Sequence, residues 1–146
     1  MRHRILGMTA AAALSIASSA ALFSSSALAQ TADDAFGLWL DPSTGGHLEV
    51  LKCGDRLCAK IAKVITQGIK DMNNVDPALR DRPLLGLMIM EGATRADDTT
   101  WEGSLYDRSS GKTYSGKVVV KGPDTIEVKG CLMSFICRGN TLTRVK

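Results

Sequence analysis

The chain has 146 residues, with 18 basic and 15 acidic side chains, a formal charge of +3 and no long run of either sign. That balance removes the usual electrostatic argument for binding nucleic acid or an anionic membrane surface. The length suits one domain with its own core, not several.

The first element is not part of that core. MRHR leads into the Ala-rich apolar run ILGMTAAAALSIASSAALF, and SSSALAQ follows, with Ala27-Leu28-Ala29 in a small-x-small pattern. A basic start, an apolar middle and an A-x-A end read as a secretory signal peptide, residues 1–29, cut after Ala29. The mature chain, 30–146, then keeps 16 basic and 15 acidic residues, because Arg2 and Arg4 leave with the leader. The longest apolar stretch left is PLLGLMIM, too short to span a bilayer. The expectation is a single exported domain, periplasmic or secreted, with no membrane span.

The mature chain alternates with period two. HLEV sends Leu48 and Val50 to one face, with His47 and Glu49 on the other. WEGSLYD, TYSGKVVVK and TIEVK repeat the pattern. Such alternation marks strands with one wet and one buried face. DPSTGG, CGDRLC, DRSSGK, KGPD and CRGN supply turn signals. The reading gives eight strands: 36–40, 47–53, 57–65, 85–91, 99–106, 112–120, 124–131 and 137–145. The fold class is all-β, a small eight-stranded antiparallel up-and-down barrel. Residues 66–83, TQGIKDMNNVDPALRDRP, interrupt the rhythm as a long polar loop. Asp76 and Pro77 fit the N-cap and first position of a short helical turn, which Pro83 would end. Either a plug for the barrel or a functional lid fits that loop.

The four cysteines come in two local pairs of positions. Cys53 and Cys58 lie at the ends of successive strands, and Cys131 and Cys137 flank LMSFI. An even count in an exported protein favours disulfides, although spacing alone leaves three pairings open. Zinc prefers tighter cysteine knuckles, and a redox C-x-x-C is missing. With all four oxidised, no thiolate nucleophile remains. His47 is the single histidine of the mature chain and starts a strand on its polar face, so it reads as a solvated surface residue. Asp71, Asp76, Asp81, Glu91, Asp97 and Asp98 show no spacing that isolates an acid/base pair and read as loop solvation. Met72, Met88, Met90 and Met133 read as core filling, not as a copper site. No phosphate-binding glycine motif or calcium loop is present. No enzyme, cofactor or metal is therefore expected.

Gly37-Leu38-Trp39 on the first strand and Arg144 on the last resemble the lipocalin arrangement, in which an arginine covers a first-strand tryptophan. The first and last strands of a closed barrel are neighbours, and a guanidinium can stack on an indole. The ordered set GLWLDP, HLEVLKCGDRLCAKI, NNVDPALRDRPLLGL, WEGSLYDRSSGKTYSG, IEVKGC and CRGNTLTR is similar to the bacterial family of exported proteins called domain of unknown function 2147. The resemblance implies a small lipocalin-like barrel with no established reaction.

The expected function is binding of a small, mostly apolar or amphiphilic ligand in the cell envelope, in a modest cavity because the strands are short. Met88, Met90, Trp101, Leu105, Tyr114 and Val118 are the inward or mouth candidates. Arg80 and Arg82 are expected to meet an anionic head group from the long loop. The alternative is a filled barrel whose 66–83 loop docks an envelope partner of unknown identity. An enzyme acting through loop carboxylates or through Tyr106 and Tyr114 comes last, because no spacing supports it.

Overall fold

The computed structural model describes residues 28–133 and 135–146. The segment read as a signal peptide therefore lies, apart from its last two residues, outside the described residues. Eight strands follow in chain order: β1 Gly37–Leu40, β2 His47–Cys53, β3 Arg56–Lys63, β4 Met88–Arg95, β5 Thr100–Asp107, β6 Lys112–Gly122, β7 Thr125–Leu132 and β8 Ile136–Arg144. Each pairs antiparallel with its neighbour in sequence, and β1 pairs with β8, so the sheet closes into an up-and-down barrel. Closure leaves no long sheet edge, except where β1 is too short. β1 meets β8 only at Trp39↔Arg144 and Leu40↔Thr143, so the upper part of β8 runs past it.

One end of the barrel is shut by the chain that precedes it. A 3-10 turn at Ala32–Ala35 lies across the opening, with Ala32 and Ala35 fully buried. Indole N–H groups fix it from below: Trp39 Nε1 donates to the Ala35 carbonyl at 2.8 Å and Trp101 Nε1 to the Ala32 carbonyl at 2.7 Å. Trp39, Trp101, Val50, Leu57, Met90, Val118 and Ile126 form the core beneath this plug. Arg144 covers Trp39 from outside, and its Nη1 and Nη2 donate to the carbonyls of Phe36 and Asp34.

The sequence reading of β4 is three to four residues too early, 85–91 against Met88–Arg95. The apolar run from Leu84 to Met90 hid the true start, because Leu84 and Leu85 belong to the loop. Strand character continues through Glu91-Gly92-Ala93-Thr94-Arg95. Buried Met90 and Ala93 are three apart because Gly92, at φ +69°, makes a bulge between them. CRGN, expected as a turn, lies inside β8, and the hairpin reverses between Leu132 and Ile136. Both disulfides are local, Cys53–Cys58 and Cys131–Cys137, with Cα atoms 5.9 and 4.0 Å apart.

The methionines are not uniformly core. Met90 is buried and Met88 half-buried, but Met72 and Met133 stand out in solvent.

A cavity in the open half of a lipocalin-like barrel

The end opposite the plug is open, and it leads into a cavity of about 1300 Å³. This is larger than the short strands suggested. The physical reason lies in three inward glycines side by side on adjacent strands: Gly103 faces Gly116 across β5–β6, and Gly116 faces Gly130 across β6–β7. A Cβ on Gly116 would overlap Cβ of Leu105, and one on Gly103 would crowd Ala93. Glycine lets the sheet turn sharply there, and no side chain from this band fills the space above.

The floor and lower wall are apolar: Leu48, Ile61, Ile89, Leu105, Val128 and Leu142. Tyr114 and Asn140 stand higher, and His47, Lys63, Arg108 and Arg138 bring basic groups to the rim. Ile65, Thr66 and Ile69 complete one side of the mouth, and Leu132 and Ile136 of the β7–β8 hairpin complete another.

Carboxylates near the mouth are occupied by their own neighbours. Asp41 accepts from Ser43 N and Oγ at 2.9 and 2.6 Å, and from Asn140 Nδ2 at 3.3 Å. Partial burial pushes its pKa up, but these hydrogen bonds outweigh that and hold it below the usual carboxylate range. Asp107 is held low in the same way, its burial offset by Ser109 and Ser110. By contrast, Lys63, Arg108 and Arg138 form no ion pair among the described residues. The site thus combines an apolar interior with a rim that carries charges of both signs, Lys63, Arg108 and Arg138 beside the ionised carboxylates of Asp41 and Asp107.

The expected site residues divide between two levels of the barrel. Leu105 and Tyr114 line the cavity. Met90, Trp101 and Val118 lie in the sealed core below, and half-buried Met88 is not part of the lining.

Arg80 and Arg82 require a correction: neither reaches the cavity. Arg80 Nε donates to the Asn74 carbonyl at 2.8 Å. Arg82 donates through Nε and Nη2 to Oδ2 of Asp71, both at 2.8 Å, with its guanidinium over the Tyr106 ring.

Asp71 itself corrects the expectation of loop solvation, because it is only 1% exposed. It also accepts from Tyr106 Oη at 2.6 Å and from Asn74 Nδ2 at 2.8 Å. Burial alone would raise its pKa, but these donors and the Arg82 charge lower it. Asn73 Nδ2 donates to the Arg108 carbonyl, and Val75 N donates to the Gly111 carbonyl. The later part of the 66–83 loop is therefore clamped to the β5–β6 hairpin and does not cross the mouth. Its 3-10 turn, Pro77–Leu79, is capped by Asp76 as read from the sequence.

His47 also departs from its expected place. The β2–β3 register slips between His47 and Leu48, pairing Leu48 with Ile61 but His47 with Lys63. This bulge breaks the alternation, so His47 lines the cavity beside Leu48 instead of facing away. Arg138, Asn140 and Leu142 were missed entirely. Their signal was available, because Leu142 is apolar and residues two and four before it must share its face.

A closed eight-stranded antiparallel barrel with one plugged and one open end is a lipocalin-like architecture. A solved structure described as "Protein HP1028 from the human pathogen Helicobacter pylori belongs to the lipocalin family" shares it, with a TM-score of 0.67. The two are 18% identical, over 75% of this chain and 82% of that one. The likeness is one of fold. The chain belongs to the family described as "Uncharacterized protein conserved in bacteria (DUF2147)", whose pattern matches residues 37–144. No curated protein matches it.

Proposed function

We propose that this protein binds a small, mostly apolar molecule with an anionic end, and that it does so in the bacterial cell envelope. The observation that carries the reading is the open cavity, apolar at its floor, with Lys63, Arg108 and Arg138 at its rim free of ion pairs among the described residues. An apolar chain entering it would leave water against Leu48, Leu105 and Leu142, which supplies affinity. An acidic head group would meet Arg138, Arg108 or Lys63, which supplies orientation. Export is supported by the leader-like first 29 residues and by two disulfides, which persist in oxidising compartments.

Binding without catalysis is the reading for the same cavity. Its carboxylates are committed to Ser43, Asn140, Ser109 and Ser110, and His47 has no hydrogen-bond partner among the described residues. The filled-barrel alternative is less well supported, since side chains do not fill the open half and the 66–83 loop spends its polar groups on Tyr106 and Gly111.

Native mass spectrometry of protein isolated from the envelope is the direct test. A mass present in the native spectrum and absent after denaturation would be the cargo, and the denatured mass reports cleavage after Ala29. In parallel, the anionic apolar dye 1-anilinonaphthalene-8-sulfonate should brighten on the wild type and be displaced by a medium-chain fatty acid. Leu142→Trp, which fills the floor, should weaken dye binding at least about tenfold. Dye binding that ignores this substitution would place the ligand elsewhere and end the proposal.

A further inference from the structure

The barrel closes unevenly at its seam. β1 and β8 pair only at Trp39↔Arg144 and Leu40↔Thr143, and beside them Val145 N donates to the Leu38 carbonyl at 2.9 Å. After Leu40 the chain leaves the sheet in a turn that folds back on itself, with Gly45 N donating to the Asp41 carbonyl and Asp41 N to that of Gly46. β8 is paired with β7 along its whole length, but on the mouth side of Thr143 it has no strand at its other edge.

Antiparallel geometry identifies the main-chain groups left over. Successive residues of a strand turn their N–H and C=O groups to opposite neighbours. Val145 points to β1 and Arg144 N donates to the Asp124 carbonyl on the β7 side, so Thr141, Gly139 and Cys137 point into the gap. Their main-chain groups have no partner there among the described residues. Side chains alone bridge the gap: Asn140 Nδ2 donates to Asp41 Oδ2 at 3.3 Å and to Ser43 Oγ at 3.2 Å. An incoming chain can displace this exposed bridge without stranding Asp41, which keeps its bonds from Ser43 N and Oγ. The free edge also belongs to the cavity. Ile136, Cys137, Arg138, Gly139 and Asn140 all line it, whereas a strand that shows only its face contributes every second residue.

From this edge we infer that the ligand is a short extended peptide, which adds to β8 as a strand beside Cys137, Gly139 and Thr141 and places an apolar side chain in the cavity. This rests on the proposed cavity binding and names its ligand class. In strand addition, main-chain hydrogen bonds supply affinity and pockets for alternate side chains supply selectivity. An unpaired edge beside an apolar pocket offers both, while a fatty acid would use the pocket alone. Other occupants fit less well. Three gap-facing residues are too few for the area that a stable dimer of this chain would need. The chain's own first described residues lie at the plugged end, with Gln30 near Gly122.

Fluorescence anisotropy with a labelled hexapeptide of alternating leucine and threonine tests it, using the processed protein isolated from the envelope. The wild type should bind the peptide and release 1-anilinonaphthalene-8-sulfonate in the same titration. N-methylation of one alternate set of peptide amides should weaken binding at least about tenfold, and of the other set less than about twofold. Thr141→Pro removes a gap-facing N–H without touching the β7 ladder, a change that edge strands tolerate. It should weaken peptide binding about fivefold, yet leave dye uptake unchanged, since Thr141 does not line the cavity. Dye uptake with no peptide binding overturns the inference and leaves the cavity reading standing. Equal weakening by both methylated sets overturns it too, because side chains alone would then hold the peptide. Failure of dye and peptide alike ends both readings. A dimeric wild type that ignores the peptide, beside a monomeric Thr141→Pro, would reassign the edge to a second copy of the chain.

Discussion

The Arg144 guanidinium lies 4.2 Å from the centre of the Trp39 ring, and it can do so because residue 37 is glycine. A Cβ on Gly37 would come within 2.6 Å of Arg144 Nη1, and its φ of +139° is strained for any other residue. Arg144 also donates to the carbonyls of Phe36, Asp34 and Pro123, so one side chain ties the plug to the last strand. Arg144→Ala should lower the unfolding free energy by about 2–3 kcal/mol, from the lost stacking and the stranded carbonyls. Gly37→Ala should also destabilise. In the double variant the steric part disappears while the backbone part stays, so urea midpoints should fall by less than the sum. Full additivity would mean that the two residues are not coupled.

Asp71 predicts a pH dependence. Its folded pKa is depressed, so it contributes stability above its unfolded value near 3.9 and loses it as pH falls through the folded pKa. Tyr106 works from the other side. Burial and its hydrogen bond to Asp71 raise its pKa, so its contribution is present below about 10 and is lost as pH rises beyond that. Proteolysis within the 66–83 loop should therefore accelerate below about pH 4 and above about pH 10 in the wild type. Asp71→Ala, which leaves Arg82 and Tyr106 without their acceptor, should release the loop at pH 7 at a cost of about 3 kcal/mol. A loop that stays resistant in this variant would show that the bonds from Val75 N and Asn73 Nδ2 to the carbonyls of Gly111 and Arg108 suffice.

The glycine band offers a contrast between neighbours. Gly116→Ala pushes a methyl into Leu105 Cβ and the Met90 terminus, where backbone would have to move, and should cost about 1–3 kcal/mol. Gly130→Ala meets Tyr114 Cβ at 3.5 Å, an ordinary contact, and should change stability by less than 1 kcal/mol. Thermal midpoints of the two variants compare them directly. Equal losses would mean that the band is needed for strand flexibility and not for close packing.

How far the sequence revealed this structure follows from what each feature depends on. Strand alternation is local, so β2, β5, β6 and β7 were readable within a residue or two. The closure by Gly37, Trp39 and Arg144 was suggested by a family likeness and not by spacing. Two register irregularities were invisible, because the bulge that turns His47 inward is a property of the pairing with β3. A modest cavity was expected, but its size was invisible for a related reason: space arises where inward positions are glycine on three adjacent strands at one height, which requires the register. Arg82 looked free because its partners, Asp71 and Tyr106, lie 11 and 24 positions back and forward in the chain. Arg138 was overlooked because the glycine and asparagine beside it suggested a turn.

The two disulfides close loops of similar length at opposite ends of the barrel, so removing them separates stability from mouth geometry. Each should contribute about 2 kcal/mol by restricting the unfolded chain, because loop length sets that entropy. Cys53→Ser/Cys58→Ser and Cys131→Ser/Cys137→Ser should therefore lower urea midpoints by comparable amounts. Their effects on dye binding should differ. Cys131–Cys137 holds the hairpin that presents Leu132, Ile136 and Arg138 to the cavity, and β8 has no β1 partner at that height to compensate. Its loss should weaken dye binding several-fold, since these side chains would no longer be held in one arrangement. Cys53 and Cys58 lie at the plugged end, away from the lining, so their loss should leave dye affinity unchanged under native conditions. Equal weakening by both pairs would mean that the disulfides act through the stability of the whole barrel. The β7–β8 tip would then have no separate part in shaping the mouth.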